Sequence, residues 1–588
     1  MLLQFEYYMS SEIVKLTTCD NQVRNAIQIA WNPTADPNFK GQAFEFINQL
    51  RSEPTGWQPC VQLFLQAPKL TEVVRLTSLE ILCNALQNGY LDPQSISYVK
   101  NVLLDYTKSI YGNTSNIEGT DDAGIQNKLA QSFTYLFTST YKDSWLDYFD
   151  NLLDLTNGPG PCDHLPGVIF YLRALSSVSD EIADVVVSRS PESIKRNNEL
   201  KDLIRTRHAT KVASSWQHIL ERWRVESTIT INMCLKVISQ WVSWIDISLV
   251  VNDQMIGLLL HFIGQSSIEN TSATNEDTRN PAMSTLTEIV SKKMAMPAKI
   301  ELITYLNLGD IIKQLVESPQ LSRLRSTSSY DTDLAESIAR LTNVAFLDIV
   351  KTLNTEKLET QSRQQADVLM HKFLPSILRF FSDEYDEICS TVIPSLTELL
   401  AFFRKASTNT NRLEAQYYNL LEPILNAIIL KMRYDETSSW GAEDDQTDEA
   451  EFQELRKRLQ VLQRSIAAIA DSLYIDTLSG VARNAFDSFS QQDGRIDWRD
   501  LNLALHEMYL LGELTAKTGS LYLKSQPASR AAEALIPLMS QMVNSGMLAC
   551  LELLLYDLMP YQELPNLPIQ LYSCNSWKSA FDTALFSK

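Results

Sequence analysis

The 588-residue sequence is poor in glycine, with only 18. Turn-dense all-β folds and glycine-lined nucleotide sites both need many positive-φ positions, so this scarcity disfavours both. No G-x-x-x-x-G-K-[ST], G-x-G-x-x-G or G-x-S-x-G pattern occurs. Histidine is scarcer still, at six scattered residues. HEMYL at 506–510 opens like the metalloprotease signature H-E-x-x-H, but Leu510 stands where the second histidine belongs. Eight cysteines are spread along the chain with no C-x-x-C pair, which argues against a zinc site and for reduced, partly buried thiols of a cytosolic or nuclear protein. Cys162-Asp163-His164 is compact, but it sits in a Pro/Gly-rich turn without an evident third partner and reads as a loop thiol and a surface histidine. Long apolar runs are also missing. The nearest, WVSWIDISLVVNDQMIGLLL at 241–260, is broken by Asp246 and by Asn252-Asp253, short of the roughly 18 residues of a membrane span. The opening residues carry Glu6 and no basic n-region, unlike a secretory signal. Positive charge is in deficit: 51 Lys and Arg face 71 Asp and Glu, for a net charge of −20. A surface acidic throughout repels nucleic acid and anionic membrane, so a polyanion partner requires a local basic face.

What the sequence has in abundance is helical period. Leu76, Leu79, Cys83 and Leu86 are spaced three, four, three and line one helical face. Gly89 follows as a C′ residue, and Asp92-Pro93 reads as an N-cap and N1 pair opening the next stripe, Ile96, Val99, Leu103 and Tyr106. Stripes at Leu129–Phe137 and Trp145–Leu153 repeat the pattern across a short link, which implies antiparallel neighbours. Further helices are expected around 196–224, 227–246, 252–264, 281–294, 331–354, 362–382, 384–405, 411–433, 449–473 and 475–489. The 241–260 stretch then falls at a helix–turn–helix joint. Ser227 is the N-cap of the first helix, Trp241 and Trp244 lie in its last turns, and Asn252-Asp253 forms the turn before a second helix. Paired helices at a loose period of roughly 40–50 residues predict an all-α HEAT-type solenoid. Loops are expected at 111–124 and 435–451.

Two charge features stand out. Glu443, Asp444, Asp445, Asp448 and Glu449 form an acidic run that lacks the EF-hand ligand pattern; it is either a solvated loop or a contact for a basic protein partner. The opposite sign collects at 189–224, where Lys195, Arg196, Lys201, Arg205, Arg207 and Lys211 are candidate phosphate contacts. Lys201, Arg205 and Lys211 share a side if the helix is continuous. The competing reading is ordinary salt-bridging with Glu192, Glu199 and Asp202.

QAFEFINQLRSEPTGWQPC (42–60), LAQSFTYLFTSTYKDSWLDYF (129–149), SIKRNNELKDLIRTRH (193–208), SSWQHIL (214–220), WVSWIDISLVVNDQMIGLL (241–259), DEYDEICSTVIPSL (383–396) and the MRYDE and EDDQTDEAEFQELRKRL pieces (432–459) occur in an order that resembles the importin-β (karyopherin) superfamily, in its transfer-RNA-exporting branch. The likeness fades after Val543-Asn-Ser-Gly546, and members are normally much longer, so the chain looks shortened. The resemblance implies a superhelical arch of HEAT repeats. It divides the chain into a variable extension at 1–24, Ran-GTP-binding repeats at 25–160, exportin-type repeats at 161–546 and a divergent tail at 547–588. It implies a monomeric, non-enzymatic receptor that binds transfer RNA cooperatively with Ran-GTP and meets FG-nucleoporins, with Lys195, Arg196, Lys201, Arg205, Arg207 and Lys211 as contacts for either RNA phosphate or Ran. The resemblance further implies shuttling between nucleus and cytoplasm, and no cofactor of the receptor's own because the GTP is carried by Ran. Rival expectations are a HEAT scaffold with protein cargo and a chain that retains Ran binding alone.

Overall fold

The structure is a computed structural model that describes residues 20–112, 120–264, 278–322, 327, 329–355, 358–410, 413–435, 446–491, 496–517, 521–523 and 526–544. It divides into two compact units, Met1–Lys293 and Met294–Lys588.

In the first unit a helical segment over 20–31 precedes α1 (Pro37–Ser52), α2 (Trp57–Leu65), α3 (Glu72–Gln87), α4 (Pro93–Tyr111), α5 (Ala123–Thr140), α6 (Tyr148–Asp154), α7 (Leu165–Ile182), α8 (Pro191–Arg207), α9 (Ala209–Trp223), α10 (Thr228–Val242), α11 (Asp253–Gly264) and α12 (Arg279–Ser291). Sequence sets their ends. Asp92 accepts hydrogen bonds from the backbone N–H of Gln94 and Ser95, with Pro93 in the first turn, and Gly89 closes α3 at φ +68°. Ser227 accepts from Thr230 N–H at 3.3 Å and opens α10.

Packing runs between helices of successive repeats. α3 lies on α5, α5 on α7, α7 on α10 and α10 on α12, while α9 packs on α10 and on α11. α3, α5, α7, α10 and α12 thus form a continuous layer in which each inner helix packs on the one before and the one after it, the stacking of a HEAT solenoid. The core is rich in aromatic rings. Trp145, Trp216, Trp241, Phe133, Phe137, Tyr141, Tyr148 and Phe149 are all essentially inaccessible. Trp216 and Trp241 meet edge to face at 5.7 Å, and Trp244 lies against Trp241 at 4.6 Å. The indole N–H of Trp241 donates to Leu175 O at 3.0 Å, so its one polar atom is satisfied across two repeats. The apolar stretch 241–260 is thus a seam between packed helices: α10 ends at Val242, Asp246 caps a short 3₁₀ turn at Ile247–Leu249, and α11 begins at Asp253.

A polar anchor holds the early repeats. The buried carboxylate of Asp121 receives Arg75 at 2.7 Å, Lys69 at 2.8 Å, Tyr106 at 2.7 Å and Tyr111 at 2.9 Å. Arg75 is itself sandwiched near Phe64 and Tyr106. Four side chains, from the α2–α3 connection, the start of α3 and α4, thereby fix the residue that leads into α5.

The second unit contains α13 (Met296–Tyr305), α14 (Leu308–Val316), a four-residue α15 (Pro319–Ser322), α16 (Thr332–Leu353), α17 (Thr360–Phe381), α18 (Asp386–Thr410), α19 (Ala415–Lys431), α20 (Gln446–Ile469), α21 (Asp471–Gln491), α22 (Trp498–Lys517) and α23 (Arg530–Asn544). α13, α16, α18 and α20 pack in succession, and α14, α17, α19, α21 and α23 do the same. Ion pairs join neighbours: buried Lys299 meets Asp348 at 3.0 Å, and Asp383 takes Arg379 at 2.6 Å and Tyr330 at 2.7 Å. The strand content of the described residues is one ribbon, Tyr522–Leu523 against Gln526–Pro527. No described helix is long and apolar enough to cross a membrane. The all-α, HEAT-type expectation therefore holds in each unit. The expected loops at 111–124 and 435–451 fall largely on 113–119 and 436–445, outside the described residues.

Candidate functional site

The basic run begins at the end of α7. Arg189 turns its guanidinium back to the carbonyls of Asp180 (2.6 Å) and Asp184 (2.5 Å). A cation is favoured there, since the last carbonyls of a helix are unpaired and carry the negative end of its dipole. Ser190 then caps α8, and Pro191 occupies its first turn.

α8 does not continue to residue 224, as a single helix over 196–224 requires. It stops at Arg207, and α9 starts at Ala209. The residue between them, His208, has φ −131° and ψ −14°. Its Nδ1 is 2.7 Å from the Tyr141 hydroxyl and its Nε2 is 3.3 Å from Asp150. Those two anchors from the preceding repeat hold the ring in place and mark the joint. Lys211 therefore leaves the helix that carries Lys201 and Arg205, and it pairs with Asp150.

The structure sorts the remaining candidates by partner. Arg196 meets Glu181 at 2.9 Å. Arg205 meets Asp202 at 2.5 Å and donates to Trp244 O at 2.7 Å, which ties α8 to the next repeat. Arg207 lies 5.8 Å over the ring of Tyr141. Lys195 is exposed. Lys201 is pulled below the usual lysine range, first by partial burial and then by its cationic neighbours Arg205 and Arg189, against the opposing pull of Asp202. Three of the six, Arg196, Arg205 and Lys211, are thus occupied by carboxylates, whereas Lys195, Lys201 and Arg207 form no ion pair among the described residues. Of the acidic candidates, Glu443, Asp444 and Asp445 lie outside the described residues, and Asp448 and Glu449 are described only as backbone at the start of α20.

A second feature has no local signature in the sequence. α5, α7, α10 and the 183–190 connection border a groove of about 910 Å³. Lys128, Arg173, Arg189 and Lys236 line it, as do Asp180, Glu181 and Asp184, over an apolar floor that includes Leu172, Met233 and Val237. Arg173 is half-buried and donates to Asn127 at 2.5 Å; its Nε is buried without a hydrogen-bond partner, and burial pulls its pKa down. Asp180, at the other end of the charge range, is raised by burial. The groove therefore offers both signs of charge within one surface. Its residues come from helices of successive repeats, so only the stacking of those repeats brings them together.

Elsewhere the reactive-looking groups are structural. Asp163 pairs with Arg222 at 2.5 Å, Trp223 donates to Cys162 O at 2.9 Å, and burial pushes the Cys162 thiol up, away from the thiolate a nucleophile needs. No group of three or more metal-ligating side chains is gathered among the described residues.

A family model described as Exportin-T matches residues 360–551, and one described as exportin 1-like protein matches residues 122–286. The chain is 49% identical over 530 residues to Exportin-T of Aspergillus oryzae, which covers 90% of this chain and 51% of the relative. It is 52% identical over 528 residues to Exportin-T of Podospora anserina, with 90% and 51% covered. Exportin-T of Sclerotinia sclerotiorum gives 52% over 528 residues, with 90% and 50% covered. The chain thus spans about half the length of the curated relatives it matches. A solved structure of importin 13 in its cytosolic state superposes with a TM-score of 0.50 at 12% identity, over 72% of this chain and 49% of that one, which bears on the fold alone. Identity near 50% is thus sustained along nine-tenths of this chain, which is similar to Exportin-T over about half of each relative's length.

Proposed function

We propose that the chain is a nuclear export receptor for transfer RNA. It binds its cargo together with Ran-GTP and shuttles between nucleus and cytoplasm through contacts with FG-nucleoporins. The observation that carries this reading is the 49–52% identity to Exportin-T sequences over 90% of the chain. It is a receptor and not an enzyme; the GTP and its hydrolysis belong to Ran. RNA duplex is recognised through phosphates and 2′-hydroxyls rather than base edges, which suits a cargo class that shares one shape. Lys195, Lys201 and Arg207 are the residues assigned to phosphate, because the other basic side chains of the run are already paired.

A second reading draws on the groove. Asp180, Glu181 and Asp184 repel phosphate, so a surface of mixed charge favours a protein partner. On that reading the chain holds Ran-GTP through the groove and has no grip on RNA. The deciding experiment measures binding of labelled transfer RNA to the full chain, with and without GTP-locked Ran, at several salt concentrations. The receptor reading expects tight, salt-sensitive binding that requires Ran-GTP. Ran bound with no RNA at any salt would select the second reading.

A further inference from the structure

The connection between α7 and α8 reads DVVVSRSPES over 184–193. It is the most exposed apolar segment described in the first unit: Val185 and Val186 are 94% and 89% accessible. Residues 188–190 follow the bend outside any helix, and Ser190 itself is extended, with φ −65° and ψ 155°, and exposed. Pro191 follows, without a backbone N–H.

An exposed serine, in extended backbone and followed by proline, is the form in which a proline-directed protein kinase takes its substrate. The sequence holds only one other Ser-Pro, at 318–319, and no Thr-Pro. Ser318 is partly buried, and its carbonyl is bound into a turn by the N–H groups of Leu321 and Ser322. The two sites differ in presentation and not in motif, which makes Ser318 an internal control.

Placement gives the modification a consequence. Ser190 Oγ accepts from Ser193 N–H at 3.2 Å as the cap of α8. A phosphate on that oxygen sits at the positive end of the helix dipole, so it keeps the helix folded. It also brings roughly −2 in charge to a segment, 191–211, that holds six cations and three carboxylates. The local sum falls from +3 to about +1, next to Lys195 and Lys201.

We infer that Ser190 is a phosphoacceptor for a proline-directed kinase and that its phosphate weakens the hold of α8 on phosphodiester ligands. The transfer is the ordinary one. Ser190 Oγ bonds to the γ-phosphorus of ATP, the bond to the β–γ bridging oxygen breaks, ADP departs, and the hydroxyl proton passes to the kinase base. The second half of the inference rests on the receptor reading above.

The test treats the full chain with a proline-directed kinase and ATP, maps phosphate by mass spectrometry, and compares Pro191→Ala, which keeps the capping hydroxyl, with Ser190→Ala. Expected is phosphate on Ser190 in preference to Ser318, lost in both variants. Transfer-RNA affinity in the presence of GTP-locked Ran should drop about fivefold at 0.1 M salt, with the difference shrinking at 0.5 M as screening shortens. Earlier elution of the phosphorylated chain from heparin reads the same charge change without any receptor function. Modification of Ser318 with Ser190 untouched overturns the inference, as does a phosphorylated chain whose RNA affinity and heparin elution are unchanged. An unmodified chain that binds no RNA defeats the receptor reading instead, and heparin elution then decides the effect of the phosphate.

Discussion

Two buried acids illustrate how single residues set stability here, and they act in opposite directions. Burial alone would raise Asp121, but hydrogen bonds from Arg75, Lys69 and Tyr106 outweigh it and hold the carboxyl below the usual range. A depressed carboxyl stabilises above its unfolded pKa, near 4, and that stability is lost as pH falls through the folded value. Asp121→Asn removes the charge opposite Arg75, whose side chain is 4% exposed. Leaving a buried cation without its partner costs roughly 3–5 kcal/mol. The expected outcome is a large drop in the urea midpoint of the first unit at pH 7, narrowing below pH 4. Glu507 is the reverse case. It is fully buried, and burial pushes it up to about 8. Gln463 donates Nε2 to both of its oxygens at 3.2 Å, while Gln463 Oε1 is buried without a partner. A neutral carboxyl with the amide turned over supplies the donor that oxygen lacks. A raised acid stabilises fully below its unfolded pKa, and that contribution is lost as pH climbs toward the folded value. Melting temperature of the second unit should therefore fall from pH 5 to pH 8, at about 2–4 °C per kcal/mol, and Glu507→Gln should flatten the fall. An unchanged slope would refute the assignment.

Among the elements, α8 carries the most specific expectation. Replacing Lys195, Lys201 and Arg207 by Glu should weaken RNA binding at least about tenfold at low salt and reduce the salt slope by roughly 2–3, one contact per cation removed. Arg196→Glu should instead lower the melting temperature by a few degrees, since it sets like charge against Glu181. Equal effects from both would mean that pairing does not distinguish ligand contacts from structural ones. How far such elements can be read from sequence depends on the range of their causes. The starts of α4 and α10 are legible because cap and proline act within three residues: Asp92-Pro93 and Ser227 stand where the pattern puts them. The joint at His208 is not legible, because its partners Tyr141 and Asp150 lie 67 and 58 positions away. The short α13 and α14 offer too few turns to show a period; α23 does carry one at Ala531, Leu535, Leu538 and Met542, although it lies beyond the helices expected from the sequence, which end at 489. The basic run was visible by composition, but which of its cations are spent on Glu181, Asp202 and Asp150 is decided by packing, and the groove has no sequence signature at all.

At the scale of the whole molecule, the receptor reading carries a thermodynamic obligation. If Ran-GTP raises RNA affinity by some factor, RNA must raise Ran-GTP affinity by the same factor. Titrating GTP-locked Ran into the chain with and without saturating transfer RNA should return equal factors from both sides, typically 5- to 150-fold for such couplings. A chain that binds Ran with one affinity regardless of RNA has no coupling to use. Stacked helix pairs suit this behaviour physically, because each pair is stabilised mainly by its immediate neighbours and a ligand spanning several pairs orders them together.

The tryptophan seam gives the chain an optical asymmetry. Of its ten indoles, Trp31, Trp57, Trp145, Trp216, Trp223, Trp241 and Trp244 fall in the first unit. Trp145, Trp216 and Trp241 are sealed from solvent. Intrinsic emission is therefore weighted toward the first unit, while far-ultraviolet dichroism reports helices in both. If the two units melt separately, the two signals will trace different midpoints, and their separation will show which half of the chain a mutation or a ligand has touched.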